Sequence, residues 1–502
     1  MVKKALSFFT QLLVKKEAIT SGTNKLYKKR SILMAGTSDT HKETIVVGAG
    51  PAGYVAAIRA SQLGQKVTIV ENTYIGGTCL NIGCIPTKAL ITVGHRYHDA
   101  QTSQTFGVSS GKVSIDMEAT QKWKNEQVIK KLTGGVGMLL KKNKVEIIEG
   151  TASFKDDKTM VIETKKGTTE EYTFDNVILA TGTSARTLEE MPFGGRILST
   201  TDVLNVTELP ESVVIVGGGG YVGSQLAGVL TNFGAKVTIL EKEDRLAHFF
   251  DKDMSDLLQK SYTKKGIDII TGANIKGAEQ SDNDITITYE KDGKEQTVTS
   301  SVAVVTVGRV PNLSKVKLEN TGVKVNDEGK VEVDNRMQTN VDGIYAIGDI
   351  VPGTMLADEA MAHGKVVAEA ISGKEPEALG VIPMAIYTEP EMATVGMSAD
   401  EAKKAGKRYK ASKFPLAANG RALSLNETDG FVRLITDEEQ DGKVVGAQLA
   451  GPSAADLSGM VALSIETGQI AEDLALTIQG HPSIGEAIMD AAELALGMPI
   501  HI

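Results

Sequence analysis

Two stretches of the chain repeat one arrangement of apolar and polar positions. Thr44–Val47 is a short, β-branched apolar run, followed by the glycine-rich Gly48-Ala49-Gly50-Pro51-Ala52-Gly53, a helical pattern over Tyr54–Leu63, a stop at Gly64 and a second apolar run from Lys66 to Val70 that closes on Glu71. About 170 residues later the order returns: Ser212–Val216, then Gly218-Gly219-Gly220-Tyr221-Val222-Gly223, a helix over Ser224–Phe233, Gly234, a strand over Lys236–Leu240, and Glu241. Continuous apolar runs with no polar alternation predict strands buried on both faces, and the intervening helix makes each copy a βαβ unit. Asp175–Gly182, Val302–Arg309 and Ile344–Asp349 add three more apolar runs that end in or beside glycine, as expected where a chain leaves a sheet near a ligand. From about Gly380 the pattern changes. Ile382–Tyr387, Met392–Val395, Phe431–Ile435 and Val444–Leu449 read as strands and Ala399–Ala405 as a helix, with no glycine-rich loop that would hold a nucleotide.

The spacing within the two repeats carries chemistry. A lone G-x-G-x-x-G is weak evidence. Here each copy lies between a strand and a helix, with an acid 18 residues after its last glycine, Glu71 in the first and Glu241 in the second. Glycine lets the backbone approach a pyrophosphate, the helix N-terminus offers free N–H groups, and the acid accepts from an adenosine ribose. A carboxylate at Glu241 would repel a 2′-phosphate, so the second site should prefer NAD to NADP.

The only two cysteines, Cys79 and Cys84, sit five residues apart in a short loop that follows the first repeat, Gly76-Gly77-Thr78-Cys79-Leu80-Asn81-Ile82-Gly83-Cys84-Ile85-Pro86-Thr87-Lys88. As a disulfide or a dithiol they store two electrons, and the alternative is an inert buried pair. Pro86 suits the start of a helix, which puts Cys84 at its positive end, and Lys88 stands one turn beyond. Asp349 fits either a sugar or ribityl hydroxyl or an ordinary helix cap. His481, followed five residues later by Glu486, fits an acid–base dyad, although such a histidine is more often a surface or capping residue. The other histidines, His41, His95, His98, His248, His363 and His501, have no comparable context.

Size and charge narrow the classes. A chain of 502 residues with 41% hydrophobic residues supports several domains and a large core. Its net charge of −9 argues against a nucleic-acid surface. No run approaches the 18 or so apolar residues of a membrane span, and two cysteines are too few for a disulfide-stapled secreted scaffold. Residues 1–43 carry Lys3, Lys4, Lys15, Lys16, Lys25, Lys28, Lys29 and Arg30 against Glu17 as the only acid before Asp39. They read as a disordered extension, or an upstream start with Met34 as the initiator, too short to fold a lipoyl domain. The expected location is the cytoplasm, with the mitochondrial matrix as the alternative should the extension be a transit peptide.

From about Thr44 to the C-terminus the array resembles the flavin-dependent pyridine nucleotide–disulfide oxidoreductases. The likeness rests on Gly77–Lys88 with its cysteine pair, Ala180-Thr181-Gly182, Gly308-Arg309-Val310-Pro311-Asn312, Ala346-Ile347-Gly348-Asp349 and His481-Pro482, in that order. It implies an α/β fold of two Rossmann-like dinucleotide-binding domains, for FAD and NAD, plus a C-terminal α+β dimerisation domain. The segments would be 44–190 and 310–379 for the FAD part, 191–309 for the NAD domain and 380–502 for dimerisation. FAD would be held by Gly48, Gly50, Gly53, Glu71, Gly77, Thr78, Lys88, Thr181, Gly182, Asp349 and Ala357, and NAD by Gly218, Gly220, Tyr221, Gly223, Glu241 and Gly308, with no metal. Cys84 would be the flavin-side thiolate and Cys79 the sulfur that exchanges with substrate. His481, held by Glu486, would serve as base from the other subunit of a homodimer with shared active sites. The activity implied is oxidation of protein-bound dihydrolipoamide to lipoamide with NAD as final acceptor, in partnership with the lipoyl-bearing proteins of a 2-oxoacid dehydrogenase or glycine cleavage complex. A glutathione reductase-like enzyme or an NADH diaphorase is the alternative. Three positions depart from the family pattern: Gln225 stands where a glutamate is usual, Gln479 replaces the first histidine of His-x-His-Pro, and Asp358 replaces a histidine after Leu-Ala.

Overall fold

Strand β1 (His41–Val47) is followed by helix α1 (Pro51–Gln62) and strand β2 (Val67–Glu71), which pairs parallel to β1 with Thr44 opposite Val67. The computed structural model describes residues 40–405 and 408–502. The lysine-rich extension and Met34 lie outside the described residues. Helices α2 (Gly77–Ile82) and α3 (Cys84–Thr102) come next. Strands β3 (Glu146–Asp156), β4 (Thr159–Thr164) and β5 (Thr169–Leu179) follow as an antiparallel meander. The first half of β3 lies parallel to β2, and the end of β5 pairs with β1, which closes this part of the sheet around a core that includes Phe154, Ile162 and Phe174.

The second repeat builds its own sheet. Strand β6 (Ser212–Val216), helix α4 (Tyr221–Asn232), strand β7 (Lys236–Leu240), helix α5 (Lys252–Lys264), strand β8 (Asp268–Ile270) and strand β9 (Val302–Val305) form a parallel sheet in the order β8-β7-β6-β9, extended by Ile197–Leu198. Every residue from Val213 to Val216 is buried, the burial expected of a central parallel strand. Strand β10 (Ile344–Ala346) then returns to the first sheet beside β5, and helix α6 (Ala357–Ile371) packs on α1. That approach is close because the facing residues are small. A Cβ on Gly364 would come within 2.7 Å of the Ala52 carbonyl oxygen. The last region is an antiparallel sheet of strands β11 (Met384–Ile386), β12 (Met392–Gly396), β13 (Tyr409–Pro415), β14 (Phe431–Asp437) and β15 (Lys443–Ala450), in the order β11-β12-β15-β14-β13, with helices α7 (Ala454–Glu466) and α8 (Glu486–Leu496).

The structure corrects several expectations. Both repeat helices begin three residues earlier than their apolar pattern suggests, at Pro51 and Tyr221, because the last glycine of each fingerprint already belongs to the helix. The cysteine segment is not a loop. It is two helices broken at Gly83, whose φ of −141° and ψ of −110° leave the helical region. The run from Val302 breaks at Val305, and Arg309–Pro311 pairs instead with Thr183–Ala185. Strand β13 escaped the apolar pattern because only alternate positions, Ser412 and Phe414, turn away from solvent, and one of the two is polar.

Candidate active site

One cavity of about 1630 Å³ runs from the loop after β1, past the two cysteines, to the loop after β6. It exceeds the 300–1,000 Å³ or so of an ordinary small-ligand pocket, a size suited to two dinucleotides meeting at one centre. Of the residues predicted for the first nucleotide, Gly48, Gly50, Glu71, Gly77, Thr78, Lys88, Thr181, Gly182, Asp349 and Ala357 line it; of those for the second, Gly220, Tyr221, Glu241 and Gly308 do.

Gly53, Gly218 and Gly223 do not line it. A Cβ on Gly53 would sit 1.9 Å from the Gly48 carbonyl oxygen, and one on Gly223 would sit 2.5 Å from Gly218 Cα. These glycines let the helix seat against its loop and do not themselves approach a phosphate. The second loop is also one residue longer than the first: three residues separate Val47 from Pro51, whereas four separate Val216 from Tyr221. Consequently Gly217, not Gly218, takes the place of Gly48. Both have positive φ, +77° and +104°, and both line the cavity; an added Cβ would meet the Ala180 carbonyl oxygen at 2.3 Å from Gly48 and would crowd the Thr306 backbone at 3.1 Å from Gly217. Gly218 instead packs on Ile239, at 2.7 Å from an added Cβ. The four-glycine run hid this register, since any of its members could have been first.

Each acid closes its own loop. Glu71 accepts from the Ala49 backbone N–H at 2.7 Å and from Thr73 N–H at 2.7 Å. Glu241 accepts from Gly219 N–H at 2.7 Å and from Glu243 N–H at 3.0 Å. Asp349 is not a helix cap. It accepts from the Thr183 hydroxyl at 2.8 Å in the cavity wall, and burial raises its pKa. The Thr181 hydroxyl, also in the wall, is buried with no hydrogen-bond partner, a group that a bound ligand would satisfy.

At the centre, Cys84 is the first residue of α3 and Cys79 lies in α2. Both sulfurs are free thiols. The hydrogen bond from the Cys79 thiol, assisted by the charge of Lys88 and working against the cost of burial, lowers the Cys84 pKa to about 7. The same hydrogen bond pushes Cys79 strongly up. The pair is therefore a thiolate at Cys84 supported by a thiol at Cys79. Lys88, whose own pKa is lowered by burial, donates to Gln225 Oε1 at 2.9 Å.

His481 and Glu486 meet as the spacing suggested. His481 Nδ1 lies 2.9 Å from Glu486 Oε1, and Glu486 Oε2 accepts from Ser483 N–H at 2.7 Å. The imidazole is 81% exposed and does not line the cavity of its own chain. Nearby Leu476 and Ile478 are 73% and 95% exposed. Three histidines without context in the sequence acquire partners: His95 with Glu389 at 3.1 Å, His363 accepting from Gly348 N–H at 3.3 Å, and His501 with Asp490 at 2.8 Å. Asp490, Glu493 and His501 also bring their ligand atoms within 4.8 Å of one another.

The family model for pyridine nucleotide-disulphide oxidoreductases matches residues 42–364, and the model for the dimerisation domain of the same family matches residues 382–492. The chain belongs to this family. Among curated relatives, a dihydrolipoyl dehydrogenase of Geobacillus stearothermophilus is 49% identical over 94% of this chain and 99% of its own length. One of Staphylococcus aureus is 48% identical over 93% and 100%. Among solved structures, LpdA of Mycobacterium tuberculosis superposes with a TM-score of 0.83 at 25% identity, covering 90% of this chain and 99% of that one. The HOCl-induced flavoprotein disulfide reductase RclA of Escherichia coli gives 0.80 at 26%, covering 90% and 99%. The family uses FAD and NAD, and the residues fit: the Gly48 loop with no room for a Cβ and the orphaned Thr181 hydroxyl suit FAD, and the loop clasped by Glu241 suits NAD. Among the described residues no helix is long and apolar enough to cross a membrane.

Proposed function

We infer that the chain is a dihydrolipoyl dehydrogenase, oxidising dihydrolipoamide to lipoamide with FAD as its bound flavin and NAD as final acceptor. The observation that carries this reading is the placement of Cys79 and Cys84 in the single cavity joining both dinucleotide loops.

The residues account for the thiol chemistry. In the oxidised protein a substrate thiolate attacks Cys79 Sγ; the Cys79–Cys84 bond breaks and Cys84 leaves as a thiolate. A low pKa makes Cys84 the better leaving group, since the sulfur that holds negative charge more easily departs faster. The second substrate thiol attacks the mixed disulfide, Cys79 departs and takes a proton, and lipoamide is released. Lipoamide has then lost two electrons and the cysteine pair has gained them. When bound, FAD would supply two-electron acceptance from the cysteine pair, and NAD would serve as the final hydride acceptor. The proton from the attacking thiol goes to His481 Nε2, the ring nitrogen left free by Glu486 at Nδ1. Because His481 projects from its own chain with exposed apolar residues beside it, we assign it to the cavity of the second subunit, so that each site is shared. A lipoyl arm borne by a 2-oxoacid dehydrogenase or glycine cleavage complex is the proposed substrate carrier. A cysteine pair that must cycle through the reduced state suits the cytoplasm.

The purified protein should be yellow. Dihydrolipoamide should produce a long-wavelength absorbance band, and added NAD should yield NADH. A colourless protein, or one that ignores dihydrolipoamide yet consumes NADPH with glutathione disulfide, overturns the assignment.

A further inference from the structure

Lys88 follows Cys84 by four residues on α3, so both side chains leave the same face of the helix. Its ammonium donates to Gln225 Oε1 and lies 4.6 Å above the Tyr387 ring. Gln225 is 5% exposed, and its Nε2 donates to the Tyr221 carbonyl oxygen at 2.5 Å, one turn back on α4. That second bond fixes the amide with its oxygen toward Lys88. Both neighbours of the ammonium are neutral, and among the described residues Lys88 makes no ion pair. The other titratable groups that face the two are few. Cys84 is faced by Cys79, Asp349, Arg309 and Tyr387; Lys88 is faced by both cysteines and by Asp358 in the first turn of α6.

We propose that Gln225 is a positioning residue for the dithiol: its amide oxygen holds the Lys88 ammonium toward Cys84 and, being uncharged, leaves that positive charge undivided to act on the sulfur. This rests on the redox role given above to the cysteine pair. A carboxylate in the same place would hold Lys88 equally well but would bind its charge as an ion pair. The field at Cys84 would fall and the thiolate would be less favoured.

The test compares the parent flavoprotein with Gln225→Glu, the neutral Gln225→Met and Lys88→Met. Each is reduced and treated with iodoacetamide over roughly pH 5 to 9, and the Cys84 adduct is measured in its own peptide by mass spectrometry, because alkylation rate follows the thiolate fraction. Gln225→Glu should move the Cys84 midpoint up by about one pH unit. Lys88→Met should move it up at least as far, and Gln225→Met by less than half as much. An unchanged or lowered midpoint in Gln225→Glu, equal shifts in the Glu and Met variants, or no shift in Lys88→Met would each overturn the proposal. Alkylation needs no turnover. A protein that never oxidises dihydrolipoamide therefore sinks the functional reading while the midpoint remains readable, and an unshifted midpoint in an active enzyme sinks this inference alone.

Discussion

Replacing Glu389 with glutamine removes the charge that anchors the helix bearing Cys84. Glu389 accepts from His95 on α3 at 3.1 Å and from Asn232 at the end of α4 at 2.6 Å, and it pairs with Lys265 just beyond α5. One carboxylate thus ties three helices of the first two regions to the turn between β11 and β12 of the last sheet. Burial alone would push its pKa up; the hydrogen bond from His95 and the charge of Lys265 prevail and hold it at about 2, against an ordinary 4.5. That difference corresponds to about 3 kcal/mol of folding free energy, and since Glu389 and His95 are 27% and 40% exposed, solvent screening brings the expected loss in Glu389→Gln to about 2 kcal/mol at pH 7. The raised pKa of His95 reports the same contact and is counted once. The sign follows from the lowered value. The stabilisation is fully present above the unfolded value of 4.5 and is lost as pH falls toward the folded value of about 2. Urea unfolding of parent and variant, followed by the fluorescence of the single tryptophan, Trp123, should therefore show a gap of about 2 kcal/mol at pH 7 that shrinks below about 1 kcal/mol at pH 3. A gap that stays constant with pH, or widens as pH falls, refutes the reasoning.

Three further outcomes follow from the geometry. Gly53→Ala forces a Cβ into the Gly48 carbonyl oxygen and should strip the protein of its flavin colour; Gly137→Ala, where nothing lies within 4 Å, should retain it and stabilise its helix by about 0.5–1 kcal/mol in chemical denaturation. His481→Ala should slow dihydrolipoamide oxidation by about 10²–10⁴-fold while NADH-driven dye reduction changes far less, and equal slowing of both would remove the proton role. Glu241→Ala frees the Gly219 and Glu243 N–H groups and removes the charge facing a 2′-phosphate, so the ratio of NADPH to NADH use should rise by about tenfold or more; an unchanged ratio in steady-state assays would refute the basis given for NAD preference.

What the sequence determined alone was local. Each dinucleotide unit is written within about 30 consecutive residues, because a buried strand, a tight turn and a helix start impose their requirements on neighbours. The same holds for Cys79 and Cys84 and for His481 with Glu486, partners only five residues apart. The tertiary structure decided whatever depends on distant segments meeting. Lys88 and Gln225 are 137 residues apart and His95 and Glu389 are 294, so no spacing rule links them. The register of the second glycine run was equally illegible, since only the helix start at Tyr221, the positive φ of Gly217 and the Thr306 backbone beside it single out Gly217. Local motifs announce themselves because the backbone enforces them residue by residue; the surroundings of the Lys88 ammonium come from how α3, α4 and the residue after β11 pack together, and packing leaves no periodic trace in the chain.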